Sequence, residues 1–215
     1  MKQLLEKILP QALIDSYKKY QNKQAAGNRK KWEQDGKPLP PPHTVKQEAI
    51  QYYQKRSGYN VLVETGTYKG DMIFAQKEFF KKIYSIELSQ ALFERAKKRF
   101  SGQASVSLKQ GNSGDVIATV LAELQEPAIF WLDGHYSGGI TATIEKHSPI
   151  NEEIQALIAN NRLQHIILID DARIFVGEQG YPTIEEMKEL TAKYFPSYYF
   201  SVDEDIIRLV PGKFS

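Results

Sequence analysis

From residue 60 onward the apolar residues fall into short, nearly continuous runs: Val61–Glu64, Ile83–Glu87, Val106–Leu108, Ile129–Leu132, Ile166–Ile169, Tyr198–Val202 and Ile206–Val210. Between the first six lie segments of helical period, at about 70–80, 89–100, 114–124, 150–160 and 183–194. Short β-branched runs alternating with amphipathic helices predict parallel strands covered on both faces. The last two runs are separated only by Asp203-Glu204-Asp205, so they are expected to pair as an antiparallel hairpin at the sheet edge.

Upstream, Leu4, Leu5, Ile8, Leu9, Ala12, Leu13 and Tyr17 recur at helical spacing, with a kink or break expected at Pro10. This stripe suits docking on the domain or on a second copy, as in a homodimer, better than a membrane surface. A polar stretch from Gln21 to Lys37 leads into Pro38-Leu39-Pro40-Pro41-Pro42, a stiff, extended spacer. Thr44 with Gln47 three residues later reads as a capping box opening a helix that runs to about Arg56. The expected organisation is an N-terminal helical extension and proline-rich linker over 1–42, then one domain over 43–215. Its fold class is α/β: a Rossmann-like three-layer sandwich on a seven-stranded, mostly parallel sheet with an antiparallel C-terminal hairpin, plus the N-terminal helices.

Composition narrows the picture by exclusion. A net charge of +2 over 215 residues gives no electrostatic case for nucleic acid, and Asn28-Arg29-Lys30-Lys31 is followed at once by Glu33 and Asp35. The absence of cysteine excludes disulfides, thiolate metal sites and a cysteine nucleophile, and favours the cytoplasm. No apolar run approaches the roughly 20 residues of a membrane span. Glu6 and Lys7 interrupt the first apolar cluster, which removes a signal-peptide core. A soluble, unprocessed cytoplasmic protein with no membrane or nucleic-acid partner is expected.

Sheets of this kind bind ligands at the carboxyl ends of their strands. The first strand ends in Glu64-Thr65-Gly66-Thr67-Tyr68-Lys69-Gly70, a glycine turn that lets a ligand approach the backbone ahead of a helix. The second strand ends in Glu87, where a carboxylate can accept hydrogen bonds from both hydroxyls of a ribose. A helix N-terminal charge ahead of Ser89 is the alternative role for Glu87. A dinucleotide fingerprint needs a second glycine where this chain has Tyr68, and the Glu64 carboxylate would repel a diphosphate. The same acid favours a cationic amino group, so the pattern suits S-adenosylmethionine better than NAD.

The stretch E-T-G-T-Y-K-G resembles the first motif of class I methyltransferases, and is most similar to that of the catechol O-methyltransferase group. I-Y-S-I-E-L-S and V-S-L-K-Q-G-N-S-G-D resemble that group's second and third motifs. The resemblance implies that Gly66 and Tyr68 lie against the methionine part of the cofactor, Glu87 binds the ribose, and Asn112 or Ser113 meets the adenine. With Glu64, Thr67, Gly70 and Asp133 these residues form the expected cofactor-binding set.

Strand four ends in Asp133-Gly134-His135 and strand five in Asp170-Asp171-Ala172-Arg173. Neighbouring strands would bring Asp133, Asp170 and Asp171 to one rim, where three carboxylates repel unless a hard divalent ion such as Mg²⁺ joins them. The metal-dependent members of the resembled group use such an arrangement, with asparagine usual where this chain has Asp171. The other reading is local: strand-end aspartates capping their loops, with Asp170-Asp171-Ala172-Arg173 as an ion pair. The group's lysine, three residues after the strand-four acid, is Tyr136 here, so the general base does not transfer by resemblance. His135 is the candidate base, beside Asp133; a histidine that only orients substrate is its alternative. Gly138-Gly139 opens a long loop to Pro149 that reads as a lid, while His147 and His43 read as plain surface and linker residues. The expected activity is metal-assisted methyl transfer to a small-molecule hydroxyl of sugar, polyketide or phenolic type. A nicotinamide-dependent oxidoreductase, a non-catalytic nucleoside-binding protein on the same fold, and a methyltransferase that works without metal through His135 and Asp133 alone are the alternatives.

Overall fold

The computed structural model describes residues 24, 27–134 and 148–215. Chain contacts divide the protein into two units, with the boundary between Lys46 and Gln47. In the first unit residues 27–34 are helical, where the sequence reading gave a polar stretch. Arg29 and Glu33, one helical turn apart, pair at 3.0 Å, and the Trp32 indole donates to the Pro38 carbonyl at 2.8 Å. These charged residues have good helix propensity and no apolar stripe to announce it. The stripe at residues 4–17, with the homodimer expectation drawn from it, lies outside the described residues.

The second unit is built on seven strands: β1 (Val61–Thr65), β2 (Lys82–Glu87), β3 (Val106–Gln110), β4 (Ala128–Leu132), β5 (Ile166–Ile169), β6 (Tyr198–Asp203) and β7 (Ile206–Pro211). Their spatial order is β3-β2-β1-β4-β5-β7-β6. The first five run parallel, and β7 runs against both β5 and β6. The C-terminal hairpin therefore reaches the sheet through its second strand, leaving β6 at the edge.

The helices are α1 (His43–Ser57), α2 (Asp71–Gln76), α3 (Gln90–Arg99), α4 (Ser113–Glu123), α5 (Ile150–Ala159) and α6 (Ile184–Tyr194). Helix α1 begins at His43, with the Val45 N–H on the Pro42 carbonyl, so Thr44 sits inside the first turn rather than capping it. Helix α2 stops at Gln76, short of the expected 80. The capping box predicted by pattern elsewhere is realised at Thr183 and Glu186, which open α6.

Strand residues alternate between two cores. Val61, Val63, Phe130, Leu132, Ile167 and Ile169 face a core completed by α4, α5 and α6. Leu62, Ile129, Trp131, Ile166 and Leu168 face a core completed by Ala49, Ile50 and Tyr53 of α1, Ile73 of α2 and Ala96 of α3. This two-sided burial explains why β1, β4 and β5 read as unbroken apolar runs. A buried histidine completes the first layer: His165 Nδ1 accepts the Ala128 N–H at 3.1 Å, and burial pushes its pKa down to about 4. Among the described residues no helix is long and apolar enough to cross a membrane.

Candidate functional site

The strand order reverses between β1 and β4, and the crevice for a ligand opens at their carboxyl ends. There the backbone turns at Gly66 with φ +83°, and a Cβ at this position would lie 2.4 Å from the Asp133 carbonyl oxygen. Only glycine lets the turn after β1 close against the chain leaving β4. The Asp133 N–H is held by Thr65 Oγ1 at 3.2 Å, which ties the two strand ends together.

Tyr68 stands at φ +47° with its side chain exposed, and Lys69 Nζ lies 5.1 Å from its ring. Its backbone N–H donates to Glu87 Oε2 at 2.8 Å, while the Ser89 N–H donates to Glu87 Oε1 at 2.8 Å. Glu87 thus bridges the turn after β1 and the start of α3, the role of a charge at a helix N-terminus. A carboxylate oxygen has a second lone pair, which leaves capacity for two further hydroxyl donors. From outside, Arg99 holds the turn through the Lys69 carbonyl and Asp71 Oδ1.

Glu64 is buried beneath this turn. Ser85 donates to Glu64 Oε2 at 2.5 Å, and Thr67 Oγ1 lies 2.6 Å from Ser85 Oγ, forming a chain of three side chains under the glycine turn. Burial, with smaller contributions from Asp133 and Glu87, raises the Glu64 pKa to about 8, against the hydrogen bond from Ser85. The site is accordingly rich in acid and holds one carboxyl protonated at neutral pH. Ser85 was missed in the sequence; its signal is a small polar residue between Tyr84 and Ile86 in the middle of β2.

Asn112 caps α4, its side chain accepting the Gly114 N–H at 3.0 Å. Ser113 is buried on the first turn, and its Oγ would lie 3.3 Å from a Cβ added at Gly134. Ser113 therefore borders the end of β4, while Asn112 has a structural task that accounts for its presence.

Across the crevice, Asp170 is fully buried and its Oδ1 accepts the Asp171 N–H at 2.8 Å. Asp171 takes a left-handed conformation at φ +55°, and its Oδ1 meets Arg173 Nη1 at 2.8 Å. The same Nη1 pairs with Asp205 Oδ2, and the Arg173 N–H donates to Asp205 Oδ1 at 2.8 Å. Burial alone would lower the Arg173 pKa; Asp171 and then Asp205 outweigh it and raise it. No three histidine or acidic side chains among the described residues are gathered as metal ligands. The expected Mg²⁺ group of Asp133, Asp170 and Asp171 is not assembled, because Asp171 is turned to a guanidinium. The residues present do not fit the ion.

A small hollow opens beside this rim, lined by Leu132, Ile169, Phe175 and Tyr181 with Gly134, Ser148, Ile150 and Glu153. Burial raises the Tyr181 pKa against a hydrogen bond to Ser148, and the charges of Asp171, Glu153 and Asp133 raise it further. Tyr181 and Glu153 were not singled out in the sequence, since neither follows a strand directly. His135, Tyr136, the Gly138-Gly139 loop and His147 lie outside the described residues.

No protein-family model and no curated protein sequence matches the chain. Solved structures do. The O-methyltransferase TomG from Streptomyces achromogenes, solved with SAM, aligns at TM-score 0.55 and 12% identity over 86% of this chain and 87% of its own. The Podospora anserina methyltransferase PaMTH1, solved with SAH, aligns at 0.54 and 14% over 94% and 97%. MycE of the mycinamycin biosynthetic pathway, solved with Mg, SAH and mycinamycin VI, aligns at 0.54 and 16% over 79% of this chain and 48% of its own. The chain thus carries the Rossmann-like fold of S-adenosylmethionine-dependent methyltransferases, resembling the O-methyltransferases among them.

Proposed function

We propose that the protein is an S-adenosylmethionine-dependent methyltransferase acting on the hydroxyl oxygen of a small molecule. The observation that carries this reading is Glu87, fixed by the Tyr68 and Ser89 N–H groups at the edge of the Gly66 turn with acceptor capacity for a vicinal diol. Asp133 lies on the same side, and the buried Glu64 carboxyl can give up its proton to a cationic ligand, which favours an ammonium and a sulfonium and opposes a diphosphate.

The cofactor, when bound, supplies an electrophilic methyl group on a positively charged sulfur. The chain's own residues hold and align it. Glu87 accepts the ribose hydroxyls, Gly66 and Tyr68 border the methionine portion, and Ser113 borders the base. The acceptor would enter over the hollow beside Tyr181, where the cofactor would supply its methyl group to the acceptor's hydroxyl oxygen. His135 takes the hydroxyl proton. The fold neighbours support oxygen as the acceptor atom, since TomG is an O-methyltransferase.

Calorimetric titration of S-adenosylmethionine, S-adenosylhomocysteine and NAD tests the reading directly. Binding of the first two, weakened tenfold or more in Glu87→Gln, is expected from the loss of charge-assisted hydrogen bonds. Binding of NAD in their place would overturn it. An acceptor screen then follows with sugar, polyketide and phenolic hydroxyls.

A further inference from the structure

We propose that the guanidinium of Arg173 occupies the role of a divalent cation among the strand-end carboxylates, so that this site operates without a metal ion. Arg173 is a positioning residue in this account. It balances charge and fixes the rim, and it does not touch the reacting atoms.

The geometry is that of a built-in ion rather than a swinging surface arginine. Nη1 bridges two carboxylates, Asp171 at 2.8 Å on the β5 side and Asp205 on the hairpin side. The Asp205 side chain is 1% exposed, so its charge is desolvated and needs a fixed counter-charge. Its second oxygen accepts the Arg173 N–H at 2.8 Å, and its carbonyl accepts the Ala172 N–H at 2.8 Å. Both ends of the arginine, backbone and side chain, are thereby clamped to one residue.

The backbone is shaped around the same pair. Asp171 holds a left-handed conformation that a non-glycine residue rarely adopts. That conformation places its N–H on Asp170 Oδ1 while its carboxylate meets Arg173. A planar guanidinium stays charged at every accessible pH and satisfies carboxylates through several directed N–H groups. A divalent ion brought beside it would meet like charge, and would have to displace the arginine from Asp171 to gain that ligand. Where an octahedral ion draws carboxylates together by charge, here the arginine does so from a position two residues along the chain.

This inference concerns the cation at the rim and stands whether or not methyl transfer is the activity, so its test uses metal binding. Mn²⁺ is titrated into the whole protein, with bound ion followed by electron paramagnetic resonance. The wild type is expected to bind no Mn²⁺ at 1 mM or below. Arg173→Gln removes the cation held against Asp171, and is expected to bind at least tenfold more tightly. The gain is expected to vanish in Arg173→Gln/Asp171→Asn, and Arg173→Lys, which keeps a positive charge, is expected to resemble the wild type. Should Arg173→Gln fail to fold with Asp205 left buried and charged, Arg173→Gln/Asp205→Asn removes both charges and serves in its place. Tight Mn²⁺ binding by the wild type, lost in Asp171→Asn, would overturn the proposal. So would the absence of any gain in the folded arginine variant, which would mean that these carboxylates do not make a cation site at all.

Discussion

Glu64 is the residue whose environment departs furthest from that of an ordinary carboxylate. With a folded pKa of about 8 and an unfolded value near 4.5, the folded state holds a proton that the unfolded chain gives up between those limits. Its contribution to stability is therefore full below about pH 4.5 and is lost as pH rises toward 8, by on the order of a few kcal/mol. Glu64→Gln keeps an acceptor for Ser85 and removes the titration. Thermal denaturation of the variant is expected to lose the Glu64-dependent decline across this window, leaving it more stable than the wild type at pH 8. In the wild type a cationic ligand draws the proton off, so cofactor affinity is expected to strengthen as pH rises toward 8, and the variant's affinity is expected to be flat. Calorimetry in buffers of different ionisation enthalpy measures the released proton. Gly66 gives a second prediction. Gly66→Ala puts a methyl into the Asp133 carbonyl at a backbone angle that L residues rarely adopt. Destabilisation of at least about 2 kcal/mol, with loss of cofactor binding, is expected from denaturant titration and calorimetry.

At the scale of elements, the parts that were legible are those whose signal is local. The runs 61–64, 129–132 and 166–169 match β1, β4 and β5 within a residue because both faces of each strand are buried and all these positions but Glu64 are apolar. Glu64, Gly66 and Glu87 were legible for a related reason: each stands at a strand end, where the topology sends ligands. What the sequence hid is set by pairing at a distance. Arg173 reads as a local partner of Asp171, which it is, but its second partner comes from the turn between β6 and β7 and is placed there only because β7 lies beside β5. The Asn112 cap and the Ser85 bridge escaped in the same way, since residues that serve the backbone look like residues that serve a ligand. Thr183 shows the clear case, an N-cap with Glu186 in reciprocal contact. Thr183→Ala is expected to cost about 1 kcal/mol, seen as a fall of roughly 3 °C in Tm, with cofactor affinity unchanged because α6 begins away from the Glu87 edge.

Across the whole domain, one half of the crevice is made early in the chain and the other late. Glu64, the glycine turn and Glu87 all lie within the first two strands, held by contacts among β1, β2 and α3. The opposite rim needs residues from β4, β5 and the last hairpin. The hairpin enters the sheet through β7, so β5 has an open edge until nearly the end of the chain is present. During synthesis the half with the Gly66 turn and Glu87 can thus be complete while the opposite rim is still unmade. Until Asp205 arrives, Arg173 lacks its clamp and β5 offers unpaired backbone to any neighbouring strand. The Asp205 latch therefore acts as a checkpoint in time: it ties completion of the β5 rim to completion of the sheet, and a chain that stops short of it carries half a crevice and a sticky edge.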